Sequence, residues 1–219
     1  MRRASICFAV MGLALLAFTG VASATPEVTF KAEAVPIPGY PETGNIYGAG
    51  SAVQAEYTIK GTEYVGSPPP LAGINFYLPK GTKLHTAGFP TCPVSELEPT
   101  GKGPKGCPAK SHAGPTGEAV GFVSLGGERV HETTTIESFY AAGGGIEFFT
   151  FGHSPVNLEI LSKGKYINLG GAGGFGPEAE VEIPLVASVP GAPYASVETI
   201  KVKAGSAYGP KNPKKAVYY

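Results

Sequence analysis

Apolar and polar residues alternate through many short stretches of this chain. From Glu27 onward, Val28, Phe30, Ala32 and Ala34 interleave with Thr29, Lys31 and Glu33, a period of two that predicts a strand with one buried face. Further strand-like runs cover 52–60, 74–78, 119–125, 130–140, 146–151, 156–162, 166–169, 181–187 and 196–202, nearly all bounded by Gly or Pro. The alternation is cleanest in 180–183 and 199–203. Strands with one wet face belong to antiparallel sheets. About ten of them, separated by frequent turns, predict an all-β chain built as an antiparallel two-sheet β-sandwich, immunoglobulin-like or jelly-roll-like. One helical turn is expected at 93–98, where Pro93 takes a permitted first position and Pro99 stops it. The stretch 61–70 ends in three prolines and reads either as a domain boundary or as an inter-strand connection. Residues 25–219 are read as a single sandwich domain.

Composition sharpens this picture. With 32 Gly and 21 Pro, long helices are disfavoured, because each Gly costs a helix about 1 kcal/mol and each Pro about 3. All 17 acidic residues are Glu, and the chain has neither Asp nor Trp. Asp-rich calcium loops, an aspartic dyad and an Asp-oriented catalytic histidine are thereby excluded. The missing Trp removes the strongest stacking platform for sugars and quaternary amines, leaving 11 Tyr for such a part.

Arg2 and Arg3, the apolar run 6–18 and Val21-Ala22-Ser23-Ala24 form the charged, apolar and small-residue regions of a secretory signal cleaved after Ala24. The run falls short of the roughly 20 residues of a spanning helix, so the mature chain is expected to be secreted or surface-associated without an integral membrane anchor. Cys7 lies inside the signal and is not placed to carry a lipid. The mature chain keeps 15 of the 17 cations against 17 Glu, a net charge of −2, and Arg129 is its only arginine. Nucleic-acid binding needs clustered positive charge, so that class is set aside.

After export, Cys92 and Cys107 are the remaining cysteines. An even count in an oxidising compartment predicts a disulfide. A metal site is the rival, but two thiols without a second pair or a nearby His lack the usual ligand spacing. Closing a loop of about 15 residues stabilises by roughly 3 kcal/mol in the loop-entropy picture. That clamp would hold 98–106, a Gly-, Pro- and Lys-rich stretch with no aromatic or branched aliphatic side chain.

The residues Gly73-Ile74-Asn75-Phe76-Tyr77-Leu78-Pro79-Lys80-Gly81-Thr82 lead to Phe89-Pro90-Thr91-Cys92, and Cys107-Pro108-Ala109-Lys110-Ser111-His112-Ala113-Gly114 closes the loop. This resembles a group of exported, β-rich proteins of high-GC Gram-positive bacteria in which LPxGT, a first Cys and then CPxxS recur. The similarity extends through 170–177 and 189–196. It implies export and the Cys92–Cys107 bridge and assigns no catalytic residue. The ending 215–219 departs from the pattern, which implies a chain that continues past Tyr219. LPKGT at 78–82 is misplaced for a sortase signal, which would need a hydrophobic tail and a basic end after it.

Other constellations are weaker. Gly171-Ala172-Gly173-Gly174-Phe175-Gly176 matches GxGxxG, but Pro177 and a strand follow where a phosphate-binding helix should begin, so a loop or hairpin is expected and no cofactor. His85, His112, His131 and His153 show no HxH or HExxH spacing, and loop or surface positions are expected for them. A triad joining His131 or His153 to Ser154 with Glu132, Glu137 or Glu147 lacks a GxSxG elbow, since Pro155 follows Ser154. A glycosidase needs only two carboxyl groups, and Glu132, Glu137, Glu147 and Glu159 sit on expected strands; Glu137 beside three threonines and Glu159 between Leu158 and Ile160 read equally as solvent-facing positions of half-exposed strands. Phe139, Tyr140, Phe148, Phe149 and Phe151 are expected to build the sandwich core. The expected function is therefore non-catalytic: a binding or structural protein outside the cell, contacting an envelope component, glycan or protein. The alternative is a carbohydrate-active protein, either a glycan-binding module or a Glu-dependent hydrolase.

Overall fold

The computed structural model describes residues 25–36, 51–84, 88–205, 207–209 and 212–217. The expected signal segment and His85 lie outside the described residues. Nine strands form the body: β1 (Glu27–Pro36), β2 (Ser51–Lys60), β3 (Gly73–Pro79), β4 (Gly117–Leu125), β5 (Glu128–Tyr140), β6 (Ile146–Gly152), β7 (Leu158–Asn168), β8 (Phe175–Glu182) and β9 (Ser196–Ala204). A hairpin of β10 (Ala207–Gly209) and β11 (Asn212–Val217) follows, and the one α-helix among the described residues is α1 (Val94–Leu97).

The chain is all-β and every strand pairing is antiparallel, as its alternation predicts. The ladders nevertheless join all nine strands into one curled sheet, a half-barrel, in the order β1-β2-β9-β4-β5-β6-β7-β8-β3. Two hydrogen-bonded sheets were the expectation. The difference comes from β9, which pairs with β2 on one side and β4 on the other, and from β3, which returns to pair with β8. These two pairings bridge strands that a sandwich would assign to separate sheets. The 61–70 stretch thus connects two strands of the same sheet.

Hairpin chemistry explains the central run from β4 to β8. Leu125-Gly126-Gly127-Glu128 turns through two glycines at φ 62° and 89°, the left-handed pair that a two-residue hairpin requires. The glycine-rich 170–174 stretch joins β7 to β8 as a turn, not as a phosphate cradle. The two runs expected at 156–162 and 166–169 are a single strand, β7, because Gly164 continues the ladder with Ile146 and Val181.

Curling gives the sheet an inner face. There Ala119, Ile136 and Ile200 are buried with Tyr57, Ile74, Phe148 and Val202, and an adjoining cluster holds Ala113, Tyr140 and Ile146. The ends of the curl approach each other where Phe30 of β1 meets Phe76 of β3 edge to face, ring centroids 5.6 Å apart. The opposite face of β5, β6 and β7 is also covered. Phe139 and Phe149 are buried there with Cys92 and Leu97, and Phe151, Leu161 and Cys107 pack against them. The aromatics expected in one core are thus divided between two faces, because odd and even positions of a strand point oppositely.

Candidate functional site

The cover on that outer face is the segment between the cysteines. Cys92 and Cys107 are joined by a disulfide across a Cα separation of 4.9 Å. The Cys92 amide donates to the Tyr140 carbonyl at 2.9 Å, which anchors the segment beside the end of β5. The expected helical turn is present as α1, and its Leu97 is buried against Phe139 and Phe149. Each such apolar side chain contributes on the order of 1.5–3 kcal/mol by burial. His112, just past the second cysteine, lays its ring on Phe139 at 4.5 Å and sits 3.9 Å from the Glu137 carboxylate.

β5 records this cover residue by residue. Its outward positions His131, Thr133 and Thr135 are exposed, Glu137 is half-buried, and Phe139 is fully buried once the cysteine segment overlies it. Glu147 lies beneath the same cover, opposite Phe139 on one side and Lys163 on the other, and is 2% exposed. Its Oε2 has no hydrogen-bond partner. Burial pushes its carboxyl above the usual range, Lys163 opposes that shift, and Glu98 adds to it. Glu98 and Lys163 form an exposed ion pair at 3.7 Å.

These positions answer the sequence candidates one by one. Glu137 and Glu147 come to one face of neighbouring strands as diagonal neighbours, roughly 7–8 Å apart at that register, but Glu147 is sealed from solvent and neither lines the two clefts described below. Glu132 is not a histidine partner. It is 2% exposed, and its carboxylate accepts the Ser154 and Val156 amides at 3.3 and 3.0 Å. The turn after β6 is held this way, and Gly152 must lack a side chain, since a Cβ would come within 2.5 Å of Glu132 Oε1. Glu159, His131 and His153 are exposed, as expected; His131 pairs with Glu198 at 3.6 Å and His153 stacks on Phe151. Among the described residues, no three His, Cys or Glu side chains are grouped to hold a metal ion. No helix of the described residues is long and apolar enough to cross a membrane.

A second outer cover carries the site that alternation alone did not reveal. Arg129, at the start of β5, donates from Nη1 to the Tyr194 carbonyl at 3.0 Å and from Nη2 to Ser67 Oγ and Ser196 Oγ at 2.5 and 2.6 Å. Its guanidinium also lies 5.8 Å from the Tyr64 ring centroid and 5.9 Å from that of Phe122. Ser67 and Ser196 are almost fully buried, and buried hydroxyls need partners. One side chain thus pins three separate segments: the Tyr64–Ser67 turn, the 187–194 loop and the start of β9. The signal for it in the sequence was its uniqueness, since it is the only arginine after the expected signal segment.

Between the β4–β5 turn and the 188–193 loop lies a cleft of about 410 Å³, lined by Leu125, Gly127, Val156, Val189, Pro190 and Pro193 among others. Ser188 Oγ donates to the Ser124 carbonyl and ties the loop to β4. Four of the ten large apolar side chains left exposed among the described residues line this cleft or lie on the segments that Arg129 pins: Val65, Leu125, Val189 and Tyr194. Val65 also sits at φ 52°, a left-handed conformation that is costly for a β-branched residue. The Arg129 bonds hold a strained, apolar rim in place. A smaller cleft of about 270 Å³ lies beside the disulfide cover, between Pro99, Glu159 and Lys163. No protein-family model matches this chain, and no curated protein or solved structure matches it.

Proposed function

We propose that this chain is an exported, non-catalytic binding protein that engages an envelope component, glycan or protein through the cleft between the β4–β5 turn and the 188–193 loop. The observation that carries this reading is the gathering of exposed apolar side chains on a rim fixed by Arg129, Ser188 and their partners. Clustered exposed apolar surface marks interaction sites. The charged groups nearest to a catalytic arrangement are engaged elsewhere: Glu132 in backbone bonds and Glu147 under the cysteine segment. Export is supported by the disulfide, which persists in oxidising compartments, and by the resemblance to exported Gram-positive proteins.

Binding of the secreted protein to purified peptidoglycan, a polysaccharide panel and secreted proteins tests the reading. Saturable binding should be lost in Leu125→Glu and in Val189→Glu and kept in Glu137→Gln. Chemical turnover, or binding indifferent to both cleft variants, would overturn it. The carbohydrate-active alternative draws on the neighbouring Glu137 and Glu147 alone. It requires turnover of chromogenic glycosides that disappears in Glu147→Gln.

A further inference from the structure

We propose that the free edge of β1 is a pairing surface for a second copy of this chain, joining two half-barrels about a two-fold axis. Among the described residues β1 pairs with β2 alone, in a ten-residue register without a bulge, and its Phe30 touches Phe76 of β3 across the mouth of the curl. Residues 27–34 are exposed throughout, and Val28 and Phe30 remain 59% and 45% exposed. Long, regular edges of this kind recruit other strands unless they are shortened, bulged or blocked by charge. The other free edge, β3, is shorter, and its ladder shifts register between Tyr77 and Pro79; both edges end in a proline, Pro36 on β1 and Pro79 on β3.

The charges on β1 select the partner. Its outward face carries Glu27, Lys31 and Glu33, and its inward face carries Val28, Phe30, Ala32 and Ala34. Antiparallel self-pairing keeps like faces together only in registers where even positions meet even ones, because side chains alternate with a period of two. Two of those registers set Lys31 against a carboxylate of the second copy. Facing Glu27 overlaps only residues 27–31. Facing Glu33 overlaps residues 28–36, places Ala32 on the two-fold axis, makes two reciprocal Lys31–Glu33 pairs, and sets each Phe30 opposite the small Ala34. Lys31, the residue that would otherwise block this edge, becomes its specificity element. This surface is separate from the end cleft, and its test is independent of any ligand.

Sedimentation velocity of the secreted chain over a range of concentrations should show a reversible dimer. Lys31→Glu and Glu33→Lys each turn two attractive cross-strand pairs into repulsive ones, and each should weaken the dimer by about tenfold or more. Mixing the two single variants restores opposite charges at both contacts and should restore dimer. The double swap Lys31→Glu/Glu33→Lys should do so as well. On β2 the neighbour of position 31 is Glu56, so in the double swap that internal repulsion persists and recovery can come only from pairing between copies. A wild-type chain that stays monomeric, a dimer indifferent to both single reversals, or failure of the mixture to recover would each overturn the proposal.

Discussion

Two segments cover the outer face of the same sheet, and they are held by opposite means. Over β5, β6 and β7 the cysteine segment is fastened by a covalent bond and an apolar cluster around Phe139 and Phe149. Over the adjoining end of β4, β5 and β9, three segments are fastened by the guanidinium of Arg129 between two aromatic rings. The first cover is dry enough to leave a carboxyl oxygen of Glu147 without a partner. The second leaves a cleft of about 410 Å³, against about 270 Å³ beside the first, and exposed apolar residues at its rim. Apolar packing closes a surface, whereas a polar staple fixes loop positions without consuming the apolar side chains that a ligand can use.

The comparison breaks most visibly at the disulfide. Cys92→Ala/Cys107→Ala should lower stability by roughly 3 kcal/mol, the loop-closure value for this separation of 15 residues, measured by chemical denaturation. Trypsin should then cut faster at Lys102 and Lys105, exposed residues of the loop that the bridge closes. A variant as stable and as resistant as the parent would show that the apolar cluster alone holds the cover.

Arg129→Lys should cost about 1–3 kcal/mol, the penalty of leaving the buried Ser196 hydroxyl without its donor, whereas Ser67 keeps Ser196 as donor and the Tyr64 carbonyl as acceptor. An ammonium cannot reach both hydroxyls and the Tyr194 carbonyl in a planar fork. Binding at the end cleft should weaken together with stability in this variant, whereas the disulfide variant should keep its binding while folded. Equal effects of both variants on binding would erase the distinction between the two covers.

The smallest effect has the opposite sign. Glu147 has a folded-state pKa raised by burial, so the folded chain binds more protons than the unfolded chain as pH rises from the ordinary carboxyl range, and stability falls through that window. Glu147→Gln should remove this loss, giving a higher melting temperature at neutral pH and no gain below about pH 4. Thermal melts of both proteins across that range check it. A gain that is independent of pH would assign the effect to packing instead of ionisation.

Much of the fold was written locally. Alternation in 27–34 and strand-like runs at 119–125 and 130–140 mark β1, β4 and β5 to within a few residues, and Pro93 and Pro99 bracket α1. The strand expected at 181–187 is instead β8, beginning at Phe175, because Gly176 and Pro177 look like turn residues and yet pair with neighbouring strands and loops. The Cys pair was legible from its number and setting. The end cleft was not, since Leu125 and Val189 are distant in sequence and neither carries a motif.

By itself, then, the sequence determined that this chain forms short antiparallel strands joined by glycine turns and clamped by one disulfide, because period, turn chemistry and cysteine count are local properties. Only the tertiary structure decided which strands are neighbours. Inserting β9 between β2 and β4 makes one half-barrel of nine strands and gives Arg129 its three distant partners. Alternation tells a residue which side of its strand to occupy. It holds no information on which strand will lie beside it, since that choice depends on contacts between residues far apart in the chain.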